Sequence, residues 1–401
     1  MTVRVGVSLS HVTIAVCVVV CLVSGAAEAQ GVNGGGLYPR SPRVLSMDTM
    51  ALGARPKISP DGTQVVYDTL NQVTGYYDVV IADYPTFANK RFPFQSNPTL
   101  PDQRNRGAAA WHPGGAYIVF GAEVQTHLSD DIPSIANPGL GNYTHIWSYN
   151  VSTGQLNQLT NNPVKLTAGD GIEVHASLFG VFDTTGDFFY YTHRYQAGTH
   201  APTGDWRIEG AAVTIAAGNL TIGAESTIYT PATGWYVVLM TVRSTQPAFC
   251  MASNHDGQAL DGMDIVTYNT STMAVTKITD TPANWEEGSV CTPGGGVVFM
   301  SDYGLVHGAD VAAASQREFF YVPILVAGQS LERLTFYNSQ PAPEAIVLAS
   351  DQPTGRYQNA AKPDYDSINN CLLGTVGENT GTVASPAIKL FIKRVCFRSG
   401  L

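Results

Sequence analysis

Residues 58–67, with the sequence ISPDGTQVVY, carry the pattern that decides the fold: a tight turn of proline, aspartate and glycine before a short apolar run. Proline presets φ at the first central position of a β-turn, and glycine supplies the positive φ that a later position needs. The pattern returns at 111–120 (WHPGGAYIVF), 182–191 (FDTTGDFFYY) and 291–300 (CTPGGGVVFM). Each copy predicts a strand, a hairpin turn and a second strand.

A second repeated feature predicts the outer strands of the same units. Third strands are predicted at 77–81, 145–149 and 263–268, and strand endings of the type Leu-Thr or Ile-Thr occur at 159–160, 278–279 and 334–335. Four short antiparallel strands that recur along a chain are typical of the blades of a β-propeller. No run with the apolar spacing of an amphipathic helix competes with this interpretation.

The repeat predicts an all-β fold, a β-propeller with six four-stranded blades. A blade takes about 40–45 residues, and six blades leave room for long loops in a chain of this length. Seven blades are the alternative. The stretch 198–228 fits the repeat least well.

The first thirty residues resemble a secretory signal peptide. Arg4 is followed by an apolar run at 12–23, and Ala27-Glu28-Ala29 provides a cleavage site of small residues. We therefore expect a signal peptide at 1–29, a linker at 30–47 and a single propeller domain at 48–401. The expected location is secreted, which means extracellular, or periplasmic in a Gram-negative bacterium. No second long apolar run predicts a membrane span.

Composition narrows the class of partner. Of the 401 residues, 44% are hydrophobic and only 13% are charged, which excludes an intrinsically disordered chain. The net charge of −10 argues against nucleic acid as a partner, because phosphate binding depends on lysine and arginine.

Four cysteines remain once Cys17 and Cys21 are assigned to the leader, and an even number in an exported chain predicts disulfide bonds. Three pairings are open. The favoured one joins neighbours in sequence, Cys250 with Cys291 and Cys371 with Cys396. The alternative is four buried free thiols.

The Ser-Pro-Asp-Gly turn at 59–62, the third strands and the Leu-Thr endings together resemble the TolB-type propeller repeat. The resemblance covers most of the chain after the leader, with two or three sharp copies. It implies an exported six-bladed propeller but no single activity, since such propellers include protein-binding modules, sugar-active enzymes and domains attached to peptidases. The sequence contains no G-x-S-x-G nucleophile motif.

The resemblance also implies which residues border the central channel, because the strand that precedes each turn is the innermost one. The channel-lining binding candidates are Arg55, Lys57, Trp111, Trp285, Asp364 and Asp366. A mixed set of charges around a channel can form a ligand site. The alternative is that the charged residues only solvate the channel and the two tryptophans pack between blades.

Catalytic and metal-binding candidates come from the same positions. Glu173, Glu286 and Glu287 are candidate catalytic carboxylates. Glu173 and His175 share one face of a predicted strand, and His193 lies on the next strand, so these three are candidate ligands for a divalent metal. No cofactor is otherwise expected, and packing or solvation is the alternative for each residue.

Two functions from different classes follow. The favoured one is a secreted non-catalytic β-propeller that binds protein or glycan, or that assembles with copies of itself, since rigid scaffolds present loops for recognition. The alternative is a carbohydrate-active enzyme, a metal-assisted lyase or a glycoside hydrolase, with its site at the channel mouth.

Overall fold

The computed structural model describes residues 43–95, 104–124, 143–163, 172–197, 205–232, 237–242, 248–254, 263–281, 284–303, 317–323, 331–335, 358–379 and 388–401. The chain divides into two units, Met1–Pro39 and Arg40–Leu401, and the described residues all belong to the second. The signal peptide predicted at 1–29 therefore lies outside the described residues. Among the described residues, no helix has the length and hydrophobicity that crossing a membrane requires.

The described residues form β-strands joined by turns and bends. The strands are β1 (Val44–Leu52), β2 (Ala54–Ile58), β3 (Gln64–Leu70), β4 (Tyr77–Asp83), β5 (Arg106–Trp111), β6 (Tyr117–Glu123), β7 (Tyr143–Asn150), β8 (Leu156–Gln158), β9 (Ile172–Phe182), β10 (Phe188–Ala197), β11 (Asp205–Ala216), β12 (Asn219–Ile222), β13 (Ser226–Tyr229), β14 (Val237–Val242), β15 (Ala248–Ser253), β16 (Asp264–Asn269), β17 (Ala274–Lys277), β18 (Glu286–Cys291), β19 (Val297–Ser301), β20 (Glu318–Val322), β21 (Glu332–Arg333), β22 (Gln358–Asp366), β23 (Cys371–Asn379) and β24 (Ile388–Phe397).

Consecutive strands pair antiparallel and fall into groups. Groups 1 to 3 are β2-β3-β4, β5-β6-β7-β8, and β9-β10-β11 with β12 and β13 on β11. Groups 4 to 6 are β14-β15-β16-β17, β18-β19-β20-β21, and β22-β23-β24 with β1. Groups 2 and 3 are joined into one nine-stranded sheet, but only by a short parallel pairing of β7 with β9 at Tyr143↔His175 and Thr144↔Ala176.

The groups form a closed ring. The first strand of each group contacts the preceding group, and β2 of group 1 contacts β22, β23 and β24 of group 6. Strand β1 pairs antiparallel with β24, so the beginning of the ring completes its last sheet. A closed ring of antiparallel sheets is a β-propeller, as the sequence predicts. Dividing the nine-stranded sheet at its parallel junction gives six groups among the described residues, while the blade count itself stays a prediction.

The core lies between neighbouring sheets rather than at one centre. Six clusters of buried apolar side chains each combine residues of two adjacent groups. One of them joins group 6 to group 1 through Leu373 and Ile392 against Val65 and Tyr67. Each cluster removes apolar surface from water only if both sheets are present, so neighbouring groups stabilise one another.

The hairpin turns have the geometry that the sequence motif predicts. In all four copies the glycine at the fifth position of the motif has a positive φ, between 69° and 93°, and its amide donates to the carbonyl three residues earlier at 2.8–3.3 Å. These glycines are Gly62, Gly115, Gly186 and Gly295. Only glycine adopts this conformation without steric cost, so its position fixes where each hairpin reverses.

The Leu-Thr and Ile-Thr endings close the outer edge of three groups. The hydroxyl of the threonine accepts a hydrogen bond from a backbone amide of the third strand at 2.8–2.9 Å. The threonines are Thr160, Thr279 and Thr335, and all three are buried. The side chain thus replaces a backbone acceptor where the short fourth strand leaves the sheet.

Each innermost strand carries a β-bulge. At a register shift, β2, β5, β9, β14, β18 and β22 each contain one residue more than the second strand of the group, and β9 has a second such shift between Val174 and Ile172. A bulge leaves the extra residue outside the ladder and bends the strand. Several bulge residues have the left-handed φ that non-glycine residues seldom adopt, among them Arg55 (50°), Ala108 (53°) and Phe179 (53°).

Backbone amides at the bulges or directly beside them donate to side chains of the preceding group. The Arg55 amide donates to Thr375 Oγ1 at 2.7 Å, and the Leu239 amide donates to Thr192 Oγ1 at 2.9 Å. The Ala108 amide donates to both carboxylate oxygens of Asp68 at 3.1 and 3.2 Å. In each case the acceptor side chain comes from the second strand of the group before, so the bulge ties neighbouring sheets together at the ring's inner edge.

Two disulfide bonds join Cys250 to Cys291 and Cys371 to Cys396, the pairs that the sequence favours. The first links β15 to β18 and so connects groups 4 and 5. The second joins opposed positions of β23 and β24 within group 6. Strand β1 begins at Val44, inside the segment 30–47 that the sequence analysis assigns to a linker.

Replacing Thr192 by valine tests the coupling between neighbouring groups. Valine keeps the shape of the side chain but leaves the buried Leu239 amide without an acceptor, and an unsatisfied buried donor costs about 1–3 kcal/mol. We expect Thr192→Val to lower the free energy of unfolding in urea by that amount. Thr221→Val is the control, because the Thr221 hydroxyl is exposed. Equal stabilities of the two variants would contradict the coupling.

Candidate functional site

A cavity of about 40 Å³ lies on the axis of the ring, because all six innermost strands contribute to its wall. The lining residues come from the bulged parts of these strands. They are Arg55, Lys57, Ala108, Ala109, Ala110, Phe179, Gly180, Val181, Leu239, Gly288, Ser289 and Pro363. A cavity of this size holds a few water molecules and is well below the roughly 300–1,000 Å³ of small-molecule and cofactor pockets.

Small residues at the bulges leave the space open. The wall contains alanines at 108–110 and glycines at 180 and 288, where larger side chains would extend into the axis. Gly180 is also required by packing, since a Cβ there would lie 2.6 Å from Cζ of Phe189. A glycine inside a strand commonly marks a bulge or a close approach of another group. The bulges and the cavity therefore have one structural origin.

Arg55 is the more deeply buried of the two cations in the wall, with 6% of its surface exposed. Its Nε lies 2.9 Å from Oδ2 of Asp68, whose carboxylate also accepts the Ala108 amide. Burial lowers the pKa of Arg55 and raises the pKa of Asp68, and the attraction between the two groups opposes both shifts. Within the described part of the chain, the Nη1 and Nη2 nitrogens of Arg55 have no acceptor.

Lys57, the second cation, is bound at the edge between groups 1 and 6. Its Nζ lies 3.3 Å from Oδ1 of Asp364 and 3.4 Å from the carbonyl of Pro363. The other oxygen of Asp364 accepts the Ile58 amide at 2.8 Å. Arg55 and Lys57 border the cavity, and Asp364 lies beside Lys57 without belonging to the lining residues.

The other three channel candidates are placed away from the cavity wall. Trp111 packs in the core between groups 1 and 2, and its Nε1 donates to the Lys57 carbonyl at 2.9 Å. Trp285 packs against two core clusters of group 5 under the guanidinium of Arg317. Asp366 accepts the amides of the turn that follows β22. Each of these three side chains takes part in packing or in turn closure and lies outside the lining residues.

The two candidate catalytic carboxylates whose side chains the structure describes, Glu286 and Glu287, form hydrogen bonds within the fold. Glu286 is fully buried and accepts hydrogen bonds from Thr281 at 2.7 Å and Ser301 at 3.3 Å. Burial raises its pKa to about 8. Glu287 accepts the Trp285 Nε1 hydrogen at 3.2 Å and interacts electrostatically with Arg55. Neither carboxylate is among the cavity-lining residues, and the side chain of Glu173 lies outside the described part.

Of the three candidate metal ligands, the structure describes the side chain of His193 only. His193 is buried, and its Nδ1 lies 3.2 Å from Glu209 and 3.1 Å from the Arg207 guanidinium. Desolvation raises the pKa of Glu209, but hydrogen bonds from His193 and Tyr191 outweigh it and lower that pKa to about 2. A guanidinium beside Nδ1 does not fit a cation at that nitrogen. The surroundings of His193 Nδ1 therefore do not support a metal-binding role for that nitrogen.

The remaining two metal candidates, Glu173 and His175, are described only in their backbone. Register pairs His175 with Tyr195 and His193 with Ser177, so the two histidine positions are diagonal neighbours on β9 and β10. Within the described ranges, no group of three or more His, Cys, Asp or Glu side chains is arranged to hold a metal ion.

Most residues of the cavity wall are not among the candidates that the sequence indicates. The candidates are residues next to each turn, whereas the lining residues lie within the innermost strands. The one available signal is a run of small residues inside a strand, as at 108–110 and 288–289. Such a run predicts weak packing but does not show where the register gains a residue.

Among solved structures, this chain is similar to three propeller-containing proteins at low identity. It is 13% identical to TolB from Acinetobacter baumannii, with a TM-score of 0.48, and the match covers 84% of this chain and 65% of TolB. An oligogalacturonate lyase in complex with manganese is 10% identical, with a TM-score of 0.48, over 90% of this chain and 96% of that one. The β-propeller domain of the Trilobed protease from Pyrococcus furiosus is 11% identical, with a TM-score of 0.45, over 84% and 78%.

No model of a protein family matches the chain, and no curated protein matches it. TolB, whose repeat the turn motifs resemble, is thus among the similar structures. Likeness at these identities and TM-scores carries no argument about activity. The propeller fold that the resemblance implies is shown by the ring of sheets itself.

The raised pKa of Glu286 leads us to expect that the stability of the protein depends on pH. Its folded-state pKa of about 8 lies above the ordinary glutamate value, so the folded protein holds a proton that the unfolded chain releases. Stability from this group is complete below about pH 4.5 and is lost as the pH rises through 8, by at most about 1.4 kcal/mol per pH unit.

We expect Glu286→Gln to match the wild type near pH 5 and to be the more stable protein at pH 9, because glutamine stays neutral. Urea unfolding at several pH values measures both. Parallel curves for the two proteins would show that Glu286 does not titrate in this way.

Proposed function

We propose that this protein is a secreted, non-catalytic binding protein whose axial cavity receives part of a protein or glycan ligand. The observation that carries the proposal is the wall of the cavity. Six strands converge there with apolar and small residues, and they add two cations and a buried hydroxyl. A mostly apolar pocket with a few polar groups is the usual form of a binding site.

The roles of the candidate carboxylates support binding over catalysis. A glycoside hydrolase needs two carboxyl groups facing one open site, at about 5–10 Å from each other. Glu286 is instead enclosed by the hydroxyl groups of Thr281 and Ser301, and Glu287 accepts a hydrogen bond from Trp285. The charged residues that do border the cavity are Arg55 and Lys57, and cations there favour recognition of oxygen-rich groups.

Disulfides and the predicted leader support the proposed location. Both disulfide bonds fit a chain that folds in an oxidising compartment, such as the periplasm or the extracellular space. A closed ring of paired sheets is a scaffold suited to holding a binding surface outside the cell.

Filling the cavity tests the proposal. The purified protein would be used to capture ligands from a glycan array and from the secreted proteins of its source. We expect Val181→Trp, which extends a large ring into the cavity, to abolish capture of the ligand that the wild type retains.

Ile215→Trp is the matched control, because Ile215 is 48% exposed and lies outside the lining residues. It should bind as the wild type does, and thermal unfolding verifies that both variants fold. Unchanged capture by Val181→Trp, or release of shortened or unsaturated glycan products detected by mass spectrometry, would overturn the proposal.

A further inference from the structure

We propose that the hairpin turn between β5 and β6 is an acid-responsive clasp, in which protonation of His112 at Nδ1 releases the turn of group 2 from the facing turn of group 3. The inference goes beyond the proposed binding function and does not depend on it. Its basis is the set of hydrogen bonds to the His112 ring, the groups that enclose the ring, and the residue types at the same position of the other turns.

The His112 side chain connects two hairpins through both of its ring nitrogens. Nδ1 accepts the Gly114 amide hydrogen of its own turn at 2.9 Å, and Nε2 lies 3.2 Å from the carbonyl oxygen of Gly186, in the turn between β9 and β10. A backbone amide nitrogen only donates and a carbonyl oxygen only accepts. The ring is therefore neutral, with its hydrogen on Nε2 and a lone pair on Nδ1.

Packing holds the ring in the junction between groups 2 and 3. Only 7% of His112 is exposed, and its ring centroid lies 4.9 Å from that of Phe182 and 6.1 Å from that of Tyr117, both edge to face. A Cβ at Gly186 would collide with Nε2, so glycine permits the approach of the two turns. The ring is thus fixed in the orientation that both hydrogen bonds require.

A proton on Nδ1 sets two donors against each other. The Gly114 amide hydrogen already points at this nitrogen, so a second N–H there removes the hydrogen bond and repels the amide. The charge that the ring gains also lies in a buried place, which is costly without a new acceptor. The ring escapes both penalties by moving into water, and this movement breaks its hydrogen bond to Gly186.

The groups around the ring determine how readily it takes up the proton. Burial lowers the pKa of His112 below its ordinary value, whereas the hydrogen bond at Nε2 and the charges of Asp183 and Asp187 oppose that shift without reversing it. Both aspartates belong to the facing turn of group 3. Tyr117 is the titratable residue that packs on the ring, and the turn of His112 itself has no charged side chain.

The same position in the other copies of the turn motif holds a different kind of acceptor. Ser59 and Thr292 use a hydroxyl oxygen and Asp183 uses a carboxylate oxygen, and each accepts a backbone amide hydrogen of its own hairpin at 2.7–3.2 Å. Among the four copies, group 2 alone uses an imidazole, the side chain whose charge changes nearest to neutral pH. The turn chemistry is thus shared, while the response to acid belongs to one junction.

The direction of the pH effect follows from the lowered pKa. The stabilisation by the neutral ring is complete above the ordinary histidine pKa of about 6.5, and it is lost as the pH falls through the lower folded-state value. Burial also lowers the pKa of His145, to about 4, so this second histidine adds to the acid sensitivity of the whole protein. A test of the clasp must therefore be local or differential.

Nuclear magnetic resonance of the purified protein, labelled with ¹⁵N-histidine, reads the protonation of the ring directly. The signal of His112 is the one that disappears in His112→Asn. We expect a neutral ring with its hydrogen on Nε2 near pH 7.5, and protonation of Nδ1 only below the ordinary histidine pKa. A hydrogen on Nδ1 near pH 7.5, or a pKa at or above the ordinary value, would overturn the proposal.

The variant His112→Asn separates the clasp from other titrating groups. Asparagine Oδ1 can accept the amide two residues on, but it takes up no proton near neutral pH. As the pH falls below about 6.5, we expect the unfolding constant in urea to rise more for the wild type than for the variant, by at most about tenfold per pH unit. Ser59→Asn is the matched control, and its unfolding constant should keep a fixed ratio to that of the wild type.

The ratio between wild type and His112→Asn cancels the titration of His145, which both proteins share. If this ratio stays constant between pH 7.5 and pH 4.5, His112 has no acid-dependent role and the clasp is wrong.

Hydrogen exchange of the wild type locates the opening and needs no variant. The backbone amides of His112 and Asp183 close the two facing hairpins, and the Ser59 amide closes the matching hairpin of group 1, each by a hydrogen bond of 2.8–2.9 Å. We expect the opening equilibrium at His112 and Asp183 to increase on acidification and that at Ser59 to stay constant. An equal change at all three amides would show a general effect of acid and would exclude a local clasp.

Discussion

The structure depends on one constraint: a backbone amide freed by a β-bulge at the inner edge of a sheet must find an acceptor, and it finds it in the neighbouring sheet. Thr375, Asp68 and Thr192 supply that acceptor at three of the junctions. Because a buried unpaired amide is costly, these contacts fix the distance between adjacent sheets at the axis. The same bulges that demand an acceptor open the space along the axis.

Stability and function are linked through this arrangement. Apolar clusters between the sheets drive the groups together, and the pairing of β1 with β24 completes the last sheet with the start of the ring. Strand bending at the bulges keeps the inner edges from meeting, so packing ends in a cavity rather than in a filled centre. At one junction the acceptor is Asp68 instead of threonine, and Asp68 also pairs with the guanidinium of Arg55, the bulge residue of its own group. A charged pair therefore lies beside the axis at the junction where an aspartate replaces the usual threonine.

Much of the fold is predictable because it rests on local chemistry. Turn glycines such as Gly62 require a positive φ, buried threonines such as Thr160 close short strands, and an even set of cysteines predicts two bonds. These features depend on a few adjacent residues. They therefore repeat visibly in the sequence, and the propeller follows from them.

The site is less predictable because it depends on register. A bulge exists only relative to the partner strand, so no hydropathy pattern marks it, and the residues that it directs to the axis look like ordinary small strand residues. Trp111 precedes a turn as expected, yet its ring is more stable in the core between sheets than at a channel. Arg55 was identifiable as a candidate, but its unpaired nitrogens depend on where Asp68 and the bulge lie.

Hydrogen exchange of the bulge amides tests the central claim most directly. Arg55 and Ala108 are bulge residues and Leu239 borders a bulge, and the amides of all three donate to side chains of the neighbouring group. If these contacts join the sheets, the three amides exchange only when the whole ring unfolds, at the same free energy as amides in the strand centres. Exchange of these amides through local opening, at a free energy well below that of global unfolding, would contradict the account.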